Sequence, residues 1–286
     1  MSVIATTPAT RKTSRAAVTG DAGFWIGIGL AAFVLAIAIF GPFVAPHSPT
    51  MTVGIAGSRP GPGYPLGLDF EGRDVLSRVL YGGRSTLALA TAATALTYVL
   101  GVSVGLIAGY SRTYIDPLLM RTVDVLLSIP ALLVMLLAVT GLGVSPAVLV
   151  LAASMVLFPG VARIVRSATL EVSVRGYVEA AIARGESTVA VLRREILPNI
   201  AAPIVADIGV RFSWSIILIA SVNFLGLGIR PPTPDWGLMI SENRVIIPNN
   251  PMSVIAPAVI LALLIIAVNL IGDGIVRRLN RSGGAR

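Results

Sequence analysis

The stretch FWIGIGLAAFVLAIAIFGPFVA, Phe24–Ala45, runs for 22 residues without one charged side chain. At about 1.5 Å per residue, a helix of that length crosses the roughly 30 Å hydrocarbon layer of a bilayer. It is too long for the apolar core of a cleaved signal peptide, which holds about 7–15 residues. Working outward, five further stretches are long and apolar enough to span: Ser85–Tyr110, equally free of charge, about Leu118–Thr140, about Pro146–Ile164, about Ile200–Leu227 and about Met252–Val276. The pattern predicts an all-α, polytopic membrane protein of about six transmembrane helices. A tail over 1–23 precedes the membrane domain, 24–276, and a short tail, 277–286, follows it.

Composition agrees. Hydrophobic residues make up 55% of the 286 and charged residues 13%, against about 25% in soluble domains. Mean hydropathy is +0.85, more apolar surface than one soluble core can hide.

Several chemistries are excluded by what the chain lacks. It has no cysteine, so thiolate zinc sites and cysteine nucleophiles are out. The single histidine, His47, has no second His or Cys to share a metal, and HExxH cannot be written. The single lysine, Lys12, follows Arg11, so no phosphate-binding GxxxxGK[ST] loop exists and any ATP is bound by another chain. These absences predict no catalytic, cofactor or metal site and no enzyme activity in this chain. The net charge of +8 reflects Arg concentrated on one side of a membrane, and no basic run interleaved with aromatics points to nucleic acid.

Orientation follows from the same arginines. Of the 22 Arg and Lys, fourteen fall in segments that are cytoplasmic if the N-terminus is inside. They include Arg112, Arg163, Arg166, Arg175, Arg184, Arg193, Arg194, Arg277 and Arg278. Six fall outside (Arg59, Arg73, Arg78, Arg84, Arg230, Arg244), and Arg121 and Arg211 lie within spans. Both termini are therefore expected in the cytoplasm.

The outer segments at about 46–84 and 228–251 are rich in Gly and Pro and read as shaped loops. In the first, Val75, Leu76, Val79 and Leu80 share a helical face, which predicts a short interfacial helix over Asp74–Tyr81.

The long cytoplasmic loop, about 166–199, carries the densest pattern. Val174, Tyr177, Val178, Ala181 and Ile182 recur at helical spacing, and Glu171 and Arg175 stand four apart with the acid first. Gly185 suits a helix terminus. Val189, Leu192 and Ile196 begin a second stripe, and Pro198 leads into the fifth span. A helix–turn–helix below the membrane is expected.

The residues Glu179-Ala180-Ala181, Gly185 and Ile196-Leu197-Pro198 resemble the EAA loop of ABC-importer permeases. Other segments resemble the second permease subunit of dipeptide/oligopeptide/nickel-type importers. They are YPLGLDFEGRDVLSR (Tyr64–Arg78), LYGGRSTL (Leu80–Leu87), DVLLSIP (Asp124–Pro130), FLGLG (Phe224–Gly228), PPTPDWG (Pro231–Gly237) and GDG (Gly272–Gly274). The resemblance covers roughly 24–280. Departures are Leu68 where Thr is common, Glu186 where Ala is common, and Arg277 where Asp is frequent.

This resemblance implies the fold of an ABC type I importer permease in a bacterial inner membrane. It implies a second homologous permease subunit, two ABC ATPase subunits that carry ATP and Mg, and an extracytoplasmic substrate-binding protein. Tyr177, Glu179, Ala180, Ala181, Gly185, Leu197 and Pro198 would form the ATPase-coupling loop. Asp69, Arg73, Asp74 and Trp236 are candidate contacts for the binding protein.

Charges in spans must face protein or water. Asp207 and Arg211, four apart, are expected to pair, as are Arg121 and Asp124. Asp124, Asp207, Arg211 and Asn223 are candidate pathway residues. Asn223 and Asn269 read as interhelical hydrogen-bonding groups, and Pro130, Pro159 and Pro257 as kink points. An ion-coupled secondary transporter is the alternative, but neither an internal repeat nor a central acidic cluster supports it. Among substrates, peptides are favoured over a nickel chelate.

Overall fold

The computed structural model describes residues 14–111 and 113–283; Arg112 and the outermost parts of both expected tails lie outside the described residues. Five helices are long and apolar enough to span a membrane: α1 (Ser14–Val44), α2 (Val75–Tyr110), α5 (Pro146–Ser173), α8 (Ala201–Phe224) and α10 (Met252–Gly283). The remaining apolar segment is bent. Its halves, α3 (Ile115–Ser128) and α4 (Ala131–Leu142), meet at 89°. The break falls at Ile129-Pro130, where proline disfavours a helical residue before it and cannot donate to the preceding turn. The expected continuous third span is thus two helices.

The expected interfacial helix is also corrected. Asp74–Tyr81 opens α2, a helix of 36 residues and about 54 Å, which overshoots the bilayer by several turns. Val75, Ser77, Arg78 and Val79 are buried there and Leu76, Leu80 and Tyr81 half-buried, so the segment packs into protein.

α2 and α5 share the most extensive helix–helix contact. Gly101, Gly105 and Gly109, one per turn, face Val161, Val165 and Thr169. A Cβ at Gly105 would sit 2.6 Å from Cβ of Val165 and 2.7 Å from the carbonyl of Ala162. Small residues every fourth position let backbones approach in lipid, where helix association depends on such contact.

α1 packs along α10 and reaches α2. Pro42 has no N–H, which frees the carbonyl of Ala38 four residues earlier. Arg84 of α2 donates from Nε to that carbonyl at 3.2 Å, and from Nη2 to Ile39 at 3.0 Å. Unpaired backbone is costly in lipid, so this contact fixes the outer end of α1.

Candidate functional site

α5 extends to Ser173, and the chain then turns into the eight-residue α6 (Gly176–Ala183). A single helical turn, α7 (Thr188–Ala190), follows, and a π-helix over Val191–Ile196 leads toward α8. Only Val178 and Ala181 of the expected apolar stripe are buried, in a cluster with Val161, Val165, Val172, Val191, Ile196 and Ile200. Val174, Tyr177 and Ile182 stay exposed. Two contacts therefore anchor α6, while Tyr177, Glu179 and Ala180 face outward. Gly185 follows with φ +80°, a left-handed conformation open to glycine without Cβ strain, and no atom would touch a Cβ there. Leu197 is half-buried and Pro198 exposed. The exposed Glu171–Arg175 pair closes at 2.8 Å, and Arg184 pairs with Glu186 at 2.7 Å. An exposed turn of small residues on a fixed base can receive another protein surface. The π-helix was not foreseen, because Val189, Leu192 and Ile196 were read at α-helical spacing and Val189 is exposed.

Within the membrane, Asp207 and Arg211 pair at 2.9 Å, and the hydroxyl of Tyr98 on α2 donates to the same carboxylate oxygen at 3.0 Å. Tyr98 was missed: an aromatic in an apolar run gives no sign of its partner. Asp124 binds Arg163 of α5 at 2.5 Å, in place of the expected Arg121. Arg166, one turn further along α5, takes Asp116 of α3 with two hydrogen bonds at 2.5 and 2.6 Å. The broken span is thus tied to α5 by charge across helices. Asn269 reaches Ser213 at 3.2 Å, an interhelical bond between α10 and α8.

The two long segments, about 46–84 and 228–251, join into one platform. Asp69 accepts from Arg73 Nε at 2.8 Å and from Arg78 Nη1, and Arg78 Nη2 reaches Glu242 at 2.8 Å. Asn250 donates to the carbonyls of Leu66 and Leu68 at 3.0 and 3.1 Å. Burial raises the Glu242 carboxyl above its ordinary range, against the pull of Arg78 and Arg73.

A helix within the second segment was not anticipated: α9 (Trp236–Asn243), capped by Asp235 through Gly237 and Leu238 N–H. Asp235 also accepts from Thr86 and from Asn223 Nδ2, each at 2.7 Å, and burial pushes its carboxyl upward despite these donors. Asn223 accepts from Ile229 N–H at 2.9 Å, so it ties α8 to the outer loop instead of lining a path. Trp236 donates to Val79 at 2.9 Å and lies against Gly82 and Gly83.

Asp69, Arg73, Asp74 and Trp236 are all fully buried. As candidate binding-protein contacts they are corrected: they build the platform, and their side chains are not presented to a partner. His47 sits 3.3 Å from Asp74, which instead caps α2. Among the described residues, no group of His, Cys, Asp and Glu could hold a metal ion.

Residues 101–282 match the family described as "Binding-protein-dependent transport system inner membrane component". The chain is 34% identical over 260 residues to the Dipeptide transport system permease protein DppC of Haemophilus influenzae, covering 88% of each. It is 38% identical over 210 residues to the Glutathione transport system permease protein GsiD of Pectobacterium atrosepticum, covering 73% of this chain and 70% of that protein. Among solved structures, an inward-facing MetNI methionine ABC transporter chain superposes with a TM-score of 0.58 at 20% identity. It covers 70% of this chain and 95% of its own, a likeness of fold.

Proposed function

We propose, from the premise that this chain belongs to the family of inner membrane components of binding-protein-dependent transport systems, that it is the permease subunit through which peptides enter. The observation that carries the substrate class is near-full-length similarity to a dipeptide permease, at 34% identity over 88% of both chains. In this reading a binding protein delivers substrate to the outer platform, and a second, homologous permease completes the pathway. Two ATPase subunits, which carry ATP and Mg, dock on the loop around Glu179, Ala180 and Gly185.

The geometry supports that assignment physically. An ATPase surface must approach backbone closely, and alanines at an exposed turn allow it. Val178 and Ala181 transmit any displacement of the turn to α5 and α8 through their shared cluster. Glutathione is a second reading, favoured by the 38% identity to a glutathione permease, and it is itself a peptide.

Gentle solubilisation from native membranes, followed by mass spectrometry, tests the partners. A P-loop ATPase and a second permease are expected to co-purify. A chain that emerges alone in several mild detergents would oppose the reading. Peptide uptake that survives ATP depletion but collapses with the proton gradient would favour an ion-coupled carrier.

A further inference from the structure

Arg211 is the eleventh of the 24 residues of α8, which places it near the bilayer midplane. A guanidinium there is costly and must meet protein or water. Asp207 neutralises it, but through a single hydrogen bond from Nε to Oδ2 at 2.9 Å. That oxygen also accepts from Tyr98 at 3.0 Å. Nη1 and Nη2 form no hydrogen bond among the described residues, and the side chain is 19% exposed.

The free edge has a built seat. Gly160 of α5 lies directly beneath it, and a Cβ at that position would stand 2.8 Å from both Nη1 and Nη2. Any other residue would displace the guanidinium. Val210, Trp214 and Ile217, on the neighbouring face of α8, are exposed as well. An Arg needed only to cancel Asp207 would meet it fork to fork; here the two-donor edge that matches a carboxylate is turned away from its acid.

We propose that Arg211 is a carboxylate-binding position on the translocation pathway, and that it takes the C-terminal carboxylate of a peptide in transit. This rests on the peptide-import reading above. Asp207 and Tyr98 hold the side chain in place, Gly160 leaves room for it, and the Nη edge makes the contact.

The test uses the complete complex in proteoliposomes with ATP, and reads the maximal uptake rate of dialanine and the recovery of assembled complex. R211Q is expected to lower the rate about tenfold or more, the scale of one charge-assisted hydrogen bond. R211K is expected to recover part of it. The double variant D207N/R211Q decides, because removing both members of a merely structural pair is often neutral. It is expected to assemble and to stay as slow as R211Q. A double variant at the wild-type rate, or one that no longer assembles with the second permease, would overturn the inference. Wild-type complex that takes up neither dialanine nor glutathione would overturn the peptide reading, and the inference with it.

Discussion

Gly105→Ala probes the α2–α5 seam, and its cost can be worked from the contacts. The new Cβ would lie 2.6 Å from Val165 Cβ and 2.7 Å from the Ala162 carbonyl, both against a helix that cannot rotate away without disturbing Gly101 and Gly109. An ordinary contact needs about 3.5–4 Å, so the helices must part by about 1 Å. Gaps of that size forfeit a quarter to a half of each neighbouring dispersion contact. Overpacking of this kind costs about 1–3 kcal/mol, and the three-glycine repeat puts the estimate near the top of that range. In water, Gly→Ala in a helix would recover about 1 kcal/mol of backbone entropy. In a bilayer the unfolded chain stays helical, so little of that offset remains. Gly29→Ala in α1 is the control, since no heavy atom lies within 4 Å of its Cβ position. Unfolding in mixed micelles should show Gly105→Ala destabilised by about 2–3 kcal/mol and Gly29→Ala within about 0.5 kcal/mol of wild type. Equal stabilities for the two variants would refute the seam.

Gly185→Val should keep membrane insertion while lowering ATP-coupled uptake, because φ +80° strains a β-branched residue in the docking loop; normal ATP-coupled uptake would contradict that role. Trp236→Ala removes a fully buried ring and its bond to Val79, at a cost of about 3–5 kcal/mol, read as a lower melting temperature in detergent. Asp235→Asn addresses pH. The folded carboxyl is raised by burial, so its contribution is full when protonated and is lost as pH rises from about 4, the unfolded value, through the folded value. The wild-type melting temperature should therefore fall more than that of Asp235→Asn over this window, and parallel curves would count against the burial argument.

The spans were legible because lipid demands about twenty apolar residues in a row, and that demand is local in sequence. Pro130 marked a kink in advance, but its 89° extent depends on where α5 holds α3 through Arg163 and Arg166. The same long-range pairing explains the wrong partner for Asp124: Arg121 was the nearest charge in sequence, and Arg163 lies 39 residues away. Gly82-Gly83 read as loop residues, yet they continue α2 and make room for Trp236. Gly101, Gly105 and Gly109 carried a readable small-residue repeat that was overlooked. For the outer charges, exposure was assumed because they sit in a loop. Mutual neutralisation among Asp69, Arg73, Arg78 and Glu242 allows their burial, and no local pattern announces it.

The loop's proposed docking can be measured directly, because the chain has no cysteine of its own. A single cysteine at the exposed Ala180, carrying a short cross-linker in native membranes, should capture a P-loop ATPase, with a yield that changes when nucleotide is added. The same cysteine fully reactive with soluble reagents and capturing no ATPase, while uptake proceeds, would contradict the account.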